Sequence, residues 1–152
     1  MQFSAAFLAT ILSATTVFAA PAPAGEAVSM MAKGPQWTFQ GLNRKCDTAD
    51  KTCTWNFKIN TGAATATSCT YVVKSAKATP KASRSNGGPS KCGDFTITSG
   101  WSGQFGEGNG FTTLSVVSNS KKQIVWPAYT DKQLAGGKTV KPDQAYAPAA
   151  LP

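Results

Sequence analysis

Cys53-Thr54-Trp55-Asn56-Phe57-Lys58-Ile59-Asn60 is the clearest segment in the chain. In an extended chain Cys53, Trp55, Phe57 and Ile59 share one face, and Thr54, Asn56, Lys58 and Asn60 share the other. A period of two held over eight residues predicts an antiparallel strand with one side buried and one side wet. Upstream, Gln36-Trp37-Thr38-Phe39-Gln40 repeats the alternation with two aromatics on one face. Downstream, Cys69-Thr70-Tyr71-Val72-Val73 is dense in β-formers, and Phe95 and Ile97 alternate with polar residues. Phe111 to Val117 (FTTLSVV) and Gln123 to Trp126 (QIVW) complete the set.

Between these runs lie clusters that reverse a chain: Asn60-Thr61-Gly62, Ser85-Asn86-Gly87-Gly88-Pro89, Gly106-Glu107-Gly108-Asn109-Gly110 and Asn119-Ser120. About six to eight short strands with turns between them predict a compact antiparallel β-barrel or sandwich. The expected unit is a single all-β domain over residues 35–152. No long stretch has a helical period, although Thr130 to Ala135 (TDKQLA) suits one helical turn. After Trp126 the chain is punctuated by Pro127, Pro142, Pro148 and Pro152, which predicts an extended C-terminal strap.

The 152 residues contain no histidine, which removes Ser-His-Asp and Cys-His nucleophilic sites and every His-ligated metal. The four cysteines, at 46, 53, 69 and 92, are too widely spaced for a C-x-x-C zinc or redox motif. No metal or cofactor is expected. Residues 1–19 carry no charged side chain, Phe7 to Phe18 is largely apolar, and Val17-Phe18-Ala19 has the form of a cleavage site. That predicts a secretory signal over 1–19, followed by a flexible Ala/Pro-rich arm over 20–34 (APAPAGEAVSMMAKG). In an oxidising compartment the cysteines form two disulfides with three possible pairings, of which Cys46–Cys53 and Cys69–Cys92 are favoured. The first pair closes a short turn, as a cross-strand bridge near a hairpin does.

Charge is more informative than any catalytic motif. Charged residues make up only 14% of the chain, yet the formal net charge is +8. From Lys51 to Lys91 there are seven basic residues and no acid. Five of them, Lys74, Lys77, Lys81, Arg84 and Lys91, lie in one polar segment, KSAKATPKASRSNGGPSK. Such a patch is either a solvated loop or a footprint for an anionic partner: acidic headgroups, a pectin-like polysaccharide or nucleic acid. Aromatics are not interleaved with it, so nucleic acid is not expected as a partner. The seven carboxylates include no obvious pair. A hydrolase would have to recruit Asp94, Glu107 or Asp131 through the fold, which leaves catalysis without positive support.

A second surface is suggested by Trp101, Phe105, Trp126 and Tyr129. Trp101-Ser102-Gly103-Gln104-Phe105 lies in a glycine-rich stretch, and Trp126-Pro127-Ala128-Tyr129 follows a strand. If exposed, these rings offer a sugar or a protein broad apolar contact at low entropic cost. If buried, they are ordinary core.

Several segments together carry a family likeness: QWTFQGLNRKC, CTWNFKINTG, TSCTYVV, CGDFTITSGWSGQFGEGNGFTTLSVV and IVWPAYTDKQLAGGKTVKPDQAYAPAALP, behind a signal and an Ala-Pro arm. With these the chain resembles small secreted proteins of filamentous ascomycete fungi whose best-known type is a hypersensitive-response-inducing elicitor of a plant pathogen. The resemblance implies a β-barrel-like domain, release into the plant apoplast, and triggering of host defence with local cell death. It brings no catalytic motif. The expected activity is that of an elicitor or effector acting by surface recognition of a plant cell-surface or apoplastic partner, as a monomer. A non-catalytic carbohydrate- or cell-wall-binding module is the alternative, with cell-wall polysaccharide as its partner.

Overall fold

The computed structural model describes residues 35–151. The signal segment (1–19), the arm (20–34) and Pro152 lie outside the described residues. Within them the all-β architecture is observed as two packed antiparallel sheets.

The first sheet has the order β3-β2-β1-β9, with β1 at Trp37–Cys46, β2 at Thr52–Asn60, β3 at Thr67–Lys74 and β9 at Gln144–Tyr146. The second runs β10-β7-β6-β5-β4: β4 Gly87–Cys92, β5 Phe95–Ser102, β6 Phe111–Ser118, β7 Gln123–Val125 and β10 Ala149–Ala150. Strand β8, Ala128–Thr130, pairs with β6 beyond β7. The surplus over the expected six to eight strands consists of short pieces from the C-terminal region.

The alternation read in Cys53–Asn60 is the alternation observed: Cys53, Trp55, Phe57 and Ile59 are buried. In β1 the phase changes midway. Trp37 and Phe39 face inward, and then a register shift between Gln40 and Asn43 turns Leu42 and Arg44 inward. Gly41 sits at that shift with φ +63, a left-handed conformation that costs glycine little. Aromatic contacts interlock the sheets, with Trp37 edge-on to Phe95 at 5.5 Å between ring centroids.

Both disulfides pair as favoured. Cys46 and Cys53 face each other across β1 and β2. Cys69 and Cys92 join β3 to β4, the edge strands of the two sheets, where no strand ladder crosses. The opposite flank is held by the C-terminal strap itself. Its Gln144–Tyr146 pairs with Trp37–Phe39 of the first sheet, and its Ala149–Ala150 pairs with β7 of the second. The strap is therefore a clasp between the sheets.

Strand β4 departs from the sequence expectation, because Ser85–Pro89 carries turn chemistry. It forms at an edge, where a proline deprives no neighbouring strand of a donor. Gly87 admits the close approach this needs: a Cβ there would stand 2.5 Å from the Tyr71 hydroxyl and 2.7 Å from Val73 Cγ2. The helical turn does form, as α1 over Asp131–Leu134, with Thr130 and Gln133 in a reciprocal capping box.

All three tyrosines are sheltered, and burial pushes each phenol above its ordinary range; Ser99, sharing a 2.8 Å hydrogen bond with Tyr71, offsets this in part. A raised folded value means that the neutral phenol is favoured by folding. This contribution is complete below about pH 10 and is lost as pH rises toward the folded values. At about pH 10.5 the folded protein should show less near-ultraviolet phenolate absorbance than the unfolded chain, with the rest appearing on unfolding. Three freely titrating phenols in the folded protein would contradict this packing.

Candidate functional site

The basic segment is not a loose loop. Its centre, a 3-10 turn over Ala82–Arg84, docks on the tight turn that the Cys46–Cys53 bridge closes. Asp50 makes the joint, and its φ of +52 is one that aspartate tolerates better than most residues. Its carbonyl accepts from Ala82 N–H at 2.8 Å, and its carboxylate accepts from Ser83 N–H at 2.9 Å and Ser83 Oγ at 2.5 Å. Ala82 is buried beneath. Ser75 Oγ donates to the carbonyls of Lys77 and Pro80, and Ser85 Oγ donates to that of Lys81 at 2.8 Å.

From the other side Arg44 holds the same turn. The Gly41 shift sends this side chain inward, where it is only 7% exposed. Its Nη1 donates to Ser83 O at 3.0 Å, its Nη2 reaches Asp131 Oδ1 at 3.5 Å, and its guanidinium lies over the Trp55 ring at 5.4 Å. Burial lowers the Arg44 pKa and Asp131 opposes that shift, which leaves a charged guanidinium needing its carboxylate. Asp131 is shared, for its Oδ2 accepts from Trp101 Nε1 at 3.0 Å.

This arrangement brings Arg84 over Trp101, with the guanidinium 5.6 Å from the ring centroid. Trp101 is half-buried, and its backbone N–H is held by Asn86 Oδ1 at 3.0 Å. The glycine-rich turn wraps the ring so closely that a Cβ on Gly103 would lie 2.5 Å from it and one on Gly110 2.8 Å. Trp101 is thus a pedestal for Arg84 rather than an open stacking face.

Two hollows share Arg84. A cleft of about 180 Å³ lies among Arg84, Trp101, Glu107, Asp131 and the turn glycines. A groove of about 410 Å³ is lined by Lys74, Ser75, Lys77, Pro80, Arg84 and Ser85 among others, with no carboxylate in its lining. Of the five basic residues singled out, the structure brings Lys74, Lys77 and Arg84 together. Lys81 precedes the 3-10 turn and Lys91 stands on β4, both exposed and outside that lining.

The aromatic set divides. Phe105 is 65% exposed and stacks on Phe111 at 5.7 Å, and Trp126 is 52% exposed. Tyr129 must be taken off the surface. It is 1% exposed, because Val125 faces the core and an even step along the same extended chain returns Tyr129 to that side. A further hollow, about 490 Å³ on the outer face of the first sheet, is lined by Gln40, Asn56, Lys58, Ser68, Thr70 and Asp143 among others. Of these, Asn56 and Lys58 belong to the polar face that the alternation marks in Cys53–Asn60.

Each carboxylate among the described residues has a structural contact. Asp94 accepts from Ser118 Oγ at 2.6 Å and Ser120 Oγ at 2.7 Å, bonds that hold its carboxyl below the ordinary aspartate range. Glu107 pairs with Arg84 at 3.5 Å, Asp143 accepts from Gly41 N–H at 3.0 Å, and Asp47 accepts from Lys51 N–H at 2.9 Å. Glu107 and Asp131 do line one cleft, but both Asp131 oxygens are engaged by Arg44 and Trp101. Cys46, Asp50 and Cys53 cluster closely, yet both sulfurs are spent in the disulfide and are not thiolate ligands.

Comparison with known proteins gives the same extent as the sandwich. A family model described as Effector TSP1 matches residues 38–151, which takes in all ten strands but the first residue of β1. A curated protein named Effector TSP1, from Hypocrea virens (strain Gv29-8 / FGSC 10586), is 56% identical over 152 residues, covering 100% of both chains. The chain belongs to the Effector TSP1 family.

Proposed function

We propose that the protein is secreted into the plant apoplast and acts there, as a monomer and without catalysis, as an elicitor whose folded surface the plant recognises, triggering defence and local cell death. The observation that carries this reading is where the structure concentrates its order. The carboxylates are tied into structural contacts, while a hydrogen-bonded framework presents Arg84, Lys74 and Lys77 to solvent. Membership in an effector family supports the same direction.

Infiltration of folded protein into leaf tissue, beside a reduced and alkylated sample, tests it. The folded form should give defence gene induction and local death, and the alkylated form should give neither. Equal responses would place the activity in a linear peptide and contradict recognition of a surface.

Phe105 and Trp126 support a second reading, a non-catalytic module that binds neutral cell-wall polysaccharide. Retention on insoluble chitin or cellulose that is insensitive to salt and lost in Trp126→Ala would favour it.

A further inference from the structure

We infer that the groove between Lys74, Lys77 and Arg84 is a binding site for an acidic polysaccharide, a polymer of uronic acid such as polygalacturonate. This deepens the surface-recognition reading by naming a ligand for that surface, and it rests on that reading.

A solvated lysine loop has no reason to spend hydrogen bonds on its own shape, and ordering one costs conformational entropy. Here Asp50 and Arg44 hold Ser83, serine hydroxyls close the loop on both sides, and Arg84 is laid over an indole. The loop backbone and Arg84 are thereby set in place around a hollow that Lys74 and Lys77 also line before a ligand arrives, which lowers the cost of binding.

The ligand's charge follows from the lining. No carboxylate lines the groove, so an anion entering it meets only attraction there. Arg84 also displays what it accepts. Glu107, 89% exposed, rests its carboxylate 3.5 Å from the guanidinium. An exposed pair at that distance is weak and readily exchanged, so a ligand carboxylate can take the place of Glu107 on Arg84.

The chemistry of the neighbours selects a sugar acid over other anions. Ser75, Ser85 and Asn86 line the same hollow. The Asn86 oxygen is held by Trp101 N–H, which leaves its amide NH2 as a donor for ring hydroxyls. A nucleic acid would want an open aromatic face for its bases, and the face of Trp101 is covered by Arg84. A membrane surface would want large apolar side chains to insert, and the apolar lining is limited to Ala76 and Pro80.

Co-sedimentation and titration calorimetry of the folded protein with polygalacturonate in EDTA would test the inference, with fully methyl-esterified pectin and phosphatidylserine vesicles as parallel probes. The protein should bind polygalacturonate at low salt, lose most of that binding as salt is raised, and ignore the esterified polymer. The combined variant Lys74→Gln, Lys77→Gln, Arg84→Gln should weaken binding at least about tenfold. A charge-matched variant elsewhere, Lys58→Gln, Lys121→Gln, Lys138→Gln, should change it less than about threefold. Because Arg84 belongs to the folded framework, Lys74→Gln with Lys77→Gln alone, which leaves that framework intact, should give an intermediate loss.

Equal losses in the groove and control variants would overturn the site, since net charge alone would then explain retention. Equal binding of the esterified polymer would overturn the ligand, and vesicle binding without polygalacturonate binding would point to a membrane instead. The binding assay contains no plant tissue, so its failure is separable from that of the elicitor reading. A leaf response that persists without polymer binding sinks this inference alone.

Discussion

Replacing Cys69 and Cys92 together by alanine lowers stability by about 3.5 kcal/mol, and replacing Cys46 and Cys53 lowers it by about 2.5 kcal/mol. The difference comes first from loop length, because the pairs lie 23 and 7 residues apart and the longer loop regains more freedom when released. Geometry adds to it. Cys46–Cys53 reinforces two strands that already share a ladder. Cys69–Cys92 spans the flank where β3 and β4 belong to different sheets and no ladder joins them. Once it is cut, β4 retains β5 as its ladder partner, with Pro89 and a register shift weakening that pairing. Denaturant midpoints of the two double variants give the comparison, and hydrogen exchange should show the Gly87–Cys92 amides opening first in the Cys69/Cys92 variant. Equal midpoint losses would mean that the strap, not the bridge, holds the sheets together.

Asp131→Asn costs about 3 kcal/mol, the low end for breaking a buried ion pair by removing one partner. Arg44 is the reason. It lies under the basic turn and keeps its charge, so deleting the carboxylate strands a cation that water cannot reach. The pair is long at 3.5 Å and Asp131 is partly exposed, which places the cost at that end of the range. The companion variant Arg44→Met with Asp131→Asn should be less destabilised than Asp131→Asn alone, because no charge is left to strand. Unfolding curves of the two singles and the double supply the cycle. A double variant that costs the sum of the singles would show the pair to be uncoupled. Asp131→Asn should also loosen Trp101, and with it the seat of Arg84.

The sheets were legible because alternation is a local property. Trp55, Phe57 and Ile59 announce their face in a window of eight residues, and the structure obeys them. Strand β4 was not legible, since Gly87, Gly88 and Pro89 read as turn residues and become a strand only because β5 lies alongside. Arg44 was hidden by the one-residue phase change at Gly41, although a lone glycine inside a strand-like run is the signal for such a bulge. Tyr129 was decipherable in principle, for period two counted from Val125 puts it inside and Trp126 outside.

The candidate site was half visible. The charge run marked Lys74, Lys77 and Arg84, and the glycine-rich stretch marked Trp101. Nothing in the order of residues said that they would meet. That meeting depends on Asp50 reaching Ser83 and on Arg44 reaching Asp131, contacts between residues 33 and 87 positions apart. Long-range polar joints of this kind leave no periodicity, so composition showed the charge while only the fold showed its framework.

The proposed function places the biological effect on an assembled surface, not in an active site. The leaf response to two folding-verified proteins, compared with the parent chain, tests this. One is Glu107→Gln, which removes the exposed carboxylate of the cleft. The other is the combined Lys74→Gln, Lys77→Gln, Arg84→Gln variant. The first should give a full response and the second a response reduced to background. Loss of activity in Glu107→Gln with the groove variant still active would contradict it and return the cleft carboxylate to a chemical role.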